Sequence, residues 1–332
     1  MKIDLALKFG SHEIIIYRKG FGIIAKEPAY LAVTPKGKRL VVKAVGNDAE
    51  KLKNTNASDI VVYQPIVNSE VVDEKLATIL IRKILEQKIL DKFTIHKISA
   101  LVAVPCAMQV EHLTKLKTVL MQSGINKVNF IQNGVCVRYY EESLDDFANC
   151  LVVDIGKYTT DFSILNKFAF QYGRDYFIGG ADMDTALQTY IADNYNLEVT
   201  LRVAEEVKSK IASLYEYDMY STSFSGINQD KMFETHSITA NEVRVAITGV
   251  YDKIFTLIKE YLDSLPKELT AEIYKNGVMF SGGSCKISGL YEYASKKLEM
   301  PIIILDNPVD AVVLGCAKLL DVPVKSLVKI NI

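Results

Sequence analysis

The sequence predicts an α/β fold built from two related halves, and two observations carry that prediction. In the first hundred and fifty residues, short apolar runs of strand length alternate with longer segments whose apolar residues recur at helical spacing. The second half then repeats the same order of hairpin, strand and helix. Alternation of this kind belongs to sheets covered by helices.

The elements follow in order. Leu5 to Phe9 and Glu13 to Tyr17 are apolar runs close enough to form an N-terminal hairpin, and Leu40 to Ala44, Ile98 to Val104 and Cys150 to Ile155 read as further strands. Lys75 to Leu90 and Val110 to Ser123 carry the helical period. Past residue 150, Thr159 to Leu165 and Phe168 to Tyr172 read as a hairpin about Asn166 and Lys167. Helical patterns follow at Asp182 to Asn194, Ala204 to Ala212 and Asn241 to Ser264. The glycine-flanked strand Gly277 to Phe280 leads to a helix after Ser288, and the buried strand Pro301 to Leu305 precedes a last helix, Asp310 to Leu320.

A length of 332 residues fits about two domains of ordinary size. Hydrophobic residues make up 49% and charged residues 24%, the balance of a chain that buries a substantial core. Its 39 basic and 40 acidic side chains nearly cancel, so no nucleic-acid partner is expected. Cys106, Cys136, Cys150, Cys285 and Cys316 are scattered in apolar surroundings without metal-ligand spacing, which predicts reduced core thiols in a cytosolic protein. No stretch has the length or apolarity of a signal peptide or a membrane span, so a cytoplasmic location is expected.

Three segments carry chemistry. In Val152 to Asp161 (VVDIGKYTTD), a strand ends on a carboxylate followed by small and hydroxyl residues, which can hold the water shell of a magnesium ion while backbone N–H groups approach phosphate oxygens. Alone, it also fits an ordinary hairpin entry. In Gly277 to Ser284 (GVMFSGGS), a strand feeds a glycine turn, where a β-carbon would block close approach of a ligand to the backbone. A lone glycine pair is also a common structural turn. In Ala204 to Lys208 (AEEVK), Glu205 and Lys208 lie one helical turn apart on one face, which equally describes a solvated ion pair.

Taken together and in order, these segments resemble the loops of the MreB family of bacterial actin-like proteins. Lys19 to Pro28 (KGFGIIAKEP), Ile178 to Asp184 (IGGADMD) and Asn307 to Gly315 (NPVDAVVLG) match further family motifs, and the resemblance covers roughly residues 3 to 320. It implies an actin-like ATPase fold, with domain I at 1–150 (small subdomain about 25–75) and domain II at 151–332 (small subdomain about 182–250). It also implies ATP or ADP with Mg2+ as cofactors, and filaments that serve cell shape or motility. The implied nucleotide-binding residues are Gly10, Ser11, His12, Glu13, Gly156, Thr159, Thr160, Glu205, Glu206, Lys208, Gly282, Gly283 and Ser284, with Asp154, Thr159 and Asn133 as catalytic residues and Asp154 at the metal.

Three parts of the site depart from the family pattern. Lys8 stands where relatives carry an aspartate before the first phosphate loop; aligning Asp4 there instead would need a four-residue insertion. Asn133, in Ile131 to Gly134, replaces the acid that orients or activates the attacking water; it can position water but cannot accept a proton. Lys157 and Tyr158 replace glycines of the second phosphate loop. Because phosphoryl transfer is largely positioning and electrostatics, these changes are expected to slow hydrolysis more than binding. Divergence of this kind resembles the paralogues of wall-less bacteria.

The expected partner is a second copy of the chain, with other cytoskeletal proteins and a membrane surface as further candidates. Lys88 to Lys97, where Ile89, Leu90 and Phe93 interleave with lysines, is the candidate membrane loop, although it also fits a helix end and a buried strand entry. Two other functions are compatible with the fold: a nucleotide-binding scaffold that does not hydrolyse, and a small-molecule kinase. The kinase reading lacks a recognisable base and substrate insertion.

Overall fold

The computed structural model describes residues 2–10, 12–37, 39–53, 59–89, 97–141, 149–322 and 330. Ser11 and most of the candidate membrane loop, residues 90–96, lie outside the described residues. The chain divides into two compact units, Met1–Asp145 with Phe168–Asp175 and Asp310–Ile332, and Asp146–Lys167 with Tyr176–Val309.

The first unit begins with β1 (Lys2–Phe9), β2 (Glu13–Arg18) and β3 (Gly22–Pro28), an antiparallel meander. A small antiparallel sheet of β4 (Leu31–Lys36), β5 (Arg39–Val45) and β6 (Val61–Tyr63) carries the short helix α1 (Gly46–Leu52). β7 (Ile66–Val67) and β8 (Glu70–Val71) form a two-residue ladder before α2 (Glu74–Lys88). Asp73 caps α2 by accepting the Leu76 N–H at 2.8 Å, and Leu76, Ala77, Leu80, Ile81, Ile84 and Leu85 form its buried face. β9 (Lys97–Val104) and β10 (Lys127–Gln132), linked by α3 (Val110–Gln122), add in parallel to β1, giving the order β10-β9-β1-β2-β3. The helix α4 (Asn133–Tyr140) starts where β10 ends.

The second unit uses the same strand order. β11 (Asn149–Ile155) and β12 (Thr160–Asn166) form an antiparallel hairpin. After β13 (Ala169–Tyr176), which belongs to the first unit up to Asp175, the chain runs through α5 (Gly180–Tyr195), α6 (Leu201–Ile211), the two-stranded ribbon of β14 (Ser221–Ile227) and β15 (Phe233–Thr239), α7 (Ala240–Asp263) and α8 (Lys267–Asn276). β16 (Val278–Ser281) and β17 (Ile302–Ile304), separated by α9 (Leu290–Leu298), then pair in parallel onto β11. The resulting run β17-β16-β11-β12 matches β10-β9-β1-β2, so each sheet puts a hairpin beside two parallel strands that arrive by crossover. Every residue of β11 is buried, as befits a strand with a partner on each side. The last helix, α10 (Ala311–Lys318), returns to the first unit and packs on α4.

Cys136, Cys150, Cys285 and Cys316 are buried and outside any disulfide, as expected, whereas Cys106 is only half-buried and donates to Asp175 at 3.3 Å. No helix among the described residues is long and apolar enough to cross a membrane.

Candidate functional site

In the second unit the chemistry gathers where β11 ends. The Gly156 N–H donates to Thr159 O at 2.9 Å and closes the turn into β12. The carbonyls of Gly156 and Lys157 accept the N–H groups of Gly180 (3.0 Å) and Ala181 (2.7 Å), two of the donors that the first turn of α5 would otherwise leave without partners. The loop is thereby fastened to the start of α5. Thr160 is buried with its hydroxyl committed to Ile178 O at 2.7 Å, while Thr159 is half-buried at the loop's exit.

Asp154 is buried, and its Oδ1 accepts from Ser281 Oγ at 2.8 Å. Directly opposite it in the ladder stands Asp161, also buried, which accepts from Ser163 Oγ at 2.7 Å. Two carboxylates side by side among hydroxyls are hard oxygen donors, so these residues fit a magnesium ion. The sequence reading missed Asp161 as a donor; the signal was its position opposite Asp154 across a tight turn, where strand pairing aims both side chains to one face.

The second glycine turn follows β16. Gly282 has φ +95°, and a β-carbon on it would lie 2.3 Å from Ile155 O, so only glycine fits there. Its N–H donates to Pro308 O at 2.7 Å. A β-carbon on Gly283 would meet nothing within 4 Å. Ser284 Oγ donates to Gly156 O at 3.3 Å, and the buried Tyr251 hydroxyl holds Ser284 O from below at 2.6 Å.

Helix α6 supplies the third side. Glu205 and Lys208 each turn to another element: Lys157 Nζ donates to both Glu205 oxygens, at 2.8 and 2.9 Å, and Lys208 Nζ donates to Gly180 O at 2.7 Å and pairs with Asp184 Oδ1 at 2.6 Å. Burial opposes the Lys157 ammonium, but the hydrogen bond and charge of Glu205 outweigh it and hold its pKa above the usual lysine value. Burial raises the Asp184 carboxyl above its ordinary value, against the pull of Lys208. Glu206 faces outward and pairs with Arg202 at 3.0 Å. Gly156, Lys157, Glu205, Lys208, Gly283 and Ser284 line one cavity of about 390 Å³, within the range that holds a small ligand. Glu206 and Thr160 are not among its lining residues.

The remaining predicted residues belong to the first unit. The Gly10 N–H donates to Glu13 O at 3.0 Å, closing the turn from β1 to β2 that includes His12. The turn falls directly after Lys8 and Phe9, whereas Asp4 lies further back in β1, bonded by Ser99 Oγ and 3.1 Å from Lys2 Nζ. Asn133 is the first residue of α4; it is buried, and its Oδ1 has no hydrogen-bond partner among the described residues.

A family model described as MreB/Mbl protein matches residues 2–327. The cell shape-determining protein Mbl of Bacillus subtilis (strain 168) is 24% identical over 323 residues, covering 96% of each chain. The cell shape-determining protein MreB of Escherichia coli (strain K12) is 24% identical over 324 residues, 96% of this chain and 93% of the relative. Among solved structures, MreB5 of Spiroplasma citri bound to ADP superposes with a TM-score of 0.85 at 24% identity, covering 97% of this chain and 96% of its own. The MamK double helical filament reaches a TM-score of 0.78 at 18% identity, over 97% of this chain and all of the other.

Proposed function

Because this chain belongs to the MreB/Mbl family and has its actin-like fold, we propose that it binds ATP and ADP and assembles with copies of itself into cytoskeletal filaments. The observation that carries the reading is the convergence of three separated segments, Gly156–Lys157, Glu205–Lys208 and Gly283–Ser284, on one cavity. Two glycine turns let backbone approach a ligand there, and carboxylates and lysines supply acceptors and cations. MreB5 of Spiroplasma citri has been solved with ADP and with AMPPNP, which supports an adenine nucleotide as the ligand. We propose a phosphate-binding role for Gly10, Ser11, His12 and Glu13 in the first unit.

Mg2+, when bound, supplies charge neutralisation on the phosphates, and Asp154 with Asp161 would hold it. The residues of the chain do the rest. Lys157 and Lys208 place positive charge in the cavity, Gly283 leaves its wall open, and the loop from Gly156 to Thr159 is held rigid by its bonds to α5. Asn133 offers an amide oxygen that can orient water but cannot take its proton. Hydrolysis is therefore slow, and the same residue favours a second reading, a scaffold that binds nucleotide without turning it over.

Calorimetry with ATP and ADP at millimolar concentration tests the ligand; no heat of binding would remove the proposal. Electron microscopy with and without ATP tests assembly, and soluble particles that phosphorylate a metabolite would replace it with the kinase reading. A membrane contact through residues 88–97 rests on sequence alone, and co-sedimentation with anionic liposomes of wild type against a Leu90→Ser, Phe93→Ser variant decides it.

A further inference from the structure

Three lysines line the cavity of the second unit, Lys157, Lys208 and the exposed Lys286, and the first two are held in different surroundings. Lys208 is fixed twice, by the Gly180 carbonyl and by Asp184, whose side chain is 4% exposed. Lys157 donates to Glu205, whose side chain is 44% exposed, and its ammonium lies 5.9 Å from the centre of the Tyr158 ring. Ion pairs this open to water contribute about 0–1 kcal/mol. Exchanging that partner therefore costs little, whereas Lys208 cannot leave without uncovering a buried carboxylate.

The backbone of the loop is not free to move with Lys157, since its carbonyls are bonded to Gly180 and Ala181. The same bonds use up two of the N–H groups that the start of α5 would otherwise offer to a phosphate. Positive charge for a phosphate must then come from a side chain. A lysine on a flexible four-carbon stem, 2.8 Å from an exchangeable carboxylate, meets that requirement.

We propose that Lys157 is an exchangeable counter-ion, paired with Glu205 and handed to a phosphate of a nucleotide when one binds. A phosphate carries more negative charge than a carboxylate and competes well for one ammonium. No covalent bond changes; one ion pair replaces another. The consequence is discrimination by phosphate: adenosine gains nothing from Lys157, ADP and ATP do, and their binding depends less on a divalent cation. This rests on the nucleotide reading above.

The test is titration calorimetry of adenosine, ADP and ATP, each in Mg2+ and in EDTA, on wild type, Lys157→Gln, Lys157→Arg and Glu205→Gln, with thermal melts to confirm folding. Lys157→Gln should weaken ADP and ATP about tenfold, the scale of one charge-assisted hydrogen bond, and more in EDTA than in Mg2+. It should leave adenosine unchanged. Lys157→Arg should restore most of the loss, and Glu205→Gln should bind ADP more tightly than wild type because Lys157 is no longer held back. Equal weakening of adenosine and ADP, or none for either, would overturn the exchange while leaving nucleotide binding in place. Wild type that binds no adenine nucleotide in either condition would overturn both.

Discussion

A β-carbon on Gly315 would lie 1.7 Å from the carbonyl oxygen of Cys136. The helices α10 and α4 therefore meet backbone to backbone at this point, and a second atom, Tyr140 N, stands 3.1 Å away. Both obstacles are main chain and cannot rotate aside. Overpacked cores cost about 1–3 kcal/mol, and Gly315→Ala should fall at or beyond the upper end of that range. A urea denaturation midpoint within error of wild type would show that the two helices can part without penalty.

Adjacent glycines after β16 should behave differently. Gly282→Ala forces a side chain into φ +95° and toward Ile155 O, so it should destabilise the fold by about 2 kcal/mol or more. Gly283→Ala meets no atom within 4 Å, so its stability should stay within about 0.5 kcal/mol of wild type. Because Gly283 lines the cavity, the same methyl should weaken ADP binding. Thermal melts paired with ADP titrations of both variants separate the two effects; Gly283→Ala with unchanged affinity would place the ligand away from that wall.

How much of this was legible beforehand can be read from particular elements. The strand Cys150 to Ile155 and the helix Asn241 to Ser264 were clear because one is apolar but for Asp154 and the other keeps its apolar period for six turns. The ribbon β14/β15 was missed: Ser221, Ser223, Ser225 and Ile227 face solvent, and only Phe224, Gly226 and Ile238 are buried, so no apolar run marks it. At the site, motif order located Gly156, Glu205, Lys208 and Ser284. The pairing of Lys157 with Glu205, 48 residues apart, has no local pattern to announce it. Nor could spacing show that Glu206 turns away to Arg202 or that Tyr251 supports Ser284.

Glu242 should couple stability to acid pH. It completes the cap of α7 with Thr239 and accepts from the Tyr195 hydroxyl at 2.6 Å. Burial alone would raise its pKa, but these hydrogen bonds outweigh burial and hold it below the usual value. A depressed carboxylate stabilises the fold above its unfolded pKa, near 4.3, and that contribution is lost as pH falls through the folded value. Glu242→Gln should cost about 1 kcal/mol at pH 7, and the gap from wild type should close below about pH 4. A gap that is constant from pH 7 to pH 3 would mean that packing, not charge, is what the variant loses.

Asn133→Glu should raise phosphate release. The residue opens α4, where the helix dipole favours a carboxylate, and its amide oxygen has no partner to lose among the described residues. A carboxylate there can orient and deprotonate water, an effect that elsewhere spans about 10²–10⁴-fold; with Lys8 and Lys157 in place, the gain should be below that range. A variant that folds, binds ATP and turns over no faster would show that the missing acid is not what limits hydrolysis.

Assembly should depend on apolar side chains that the fold does not use. At the turn of the β14/β15 ribbon, Met232 and Phe233 are 60% and 80% exposed, and Ile227, paired with Phe233 across the ladder, is also at the surface. Exposed side chains of this size bury nothing within the unit, so replacing them leaves stability within about 0.5 kcal/mol. In a head-to-tail contact between copies, which propagates because it does not close, aromatic and Met side chains are the ones that carry binding energy. Met232→Ser with Phe233→Ser should therefore abolish ATP-dependent pelleting while melting temperature and ADP affinity stay at wild-type values. The second exposed group, Tyr217 and Met219, lies before β14 and is tested by its own pair of serine substitutions. If only that pair stops pelleting, the contact lies there instead; if both variants pellet like wild type, self-association uses neither group.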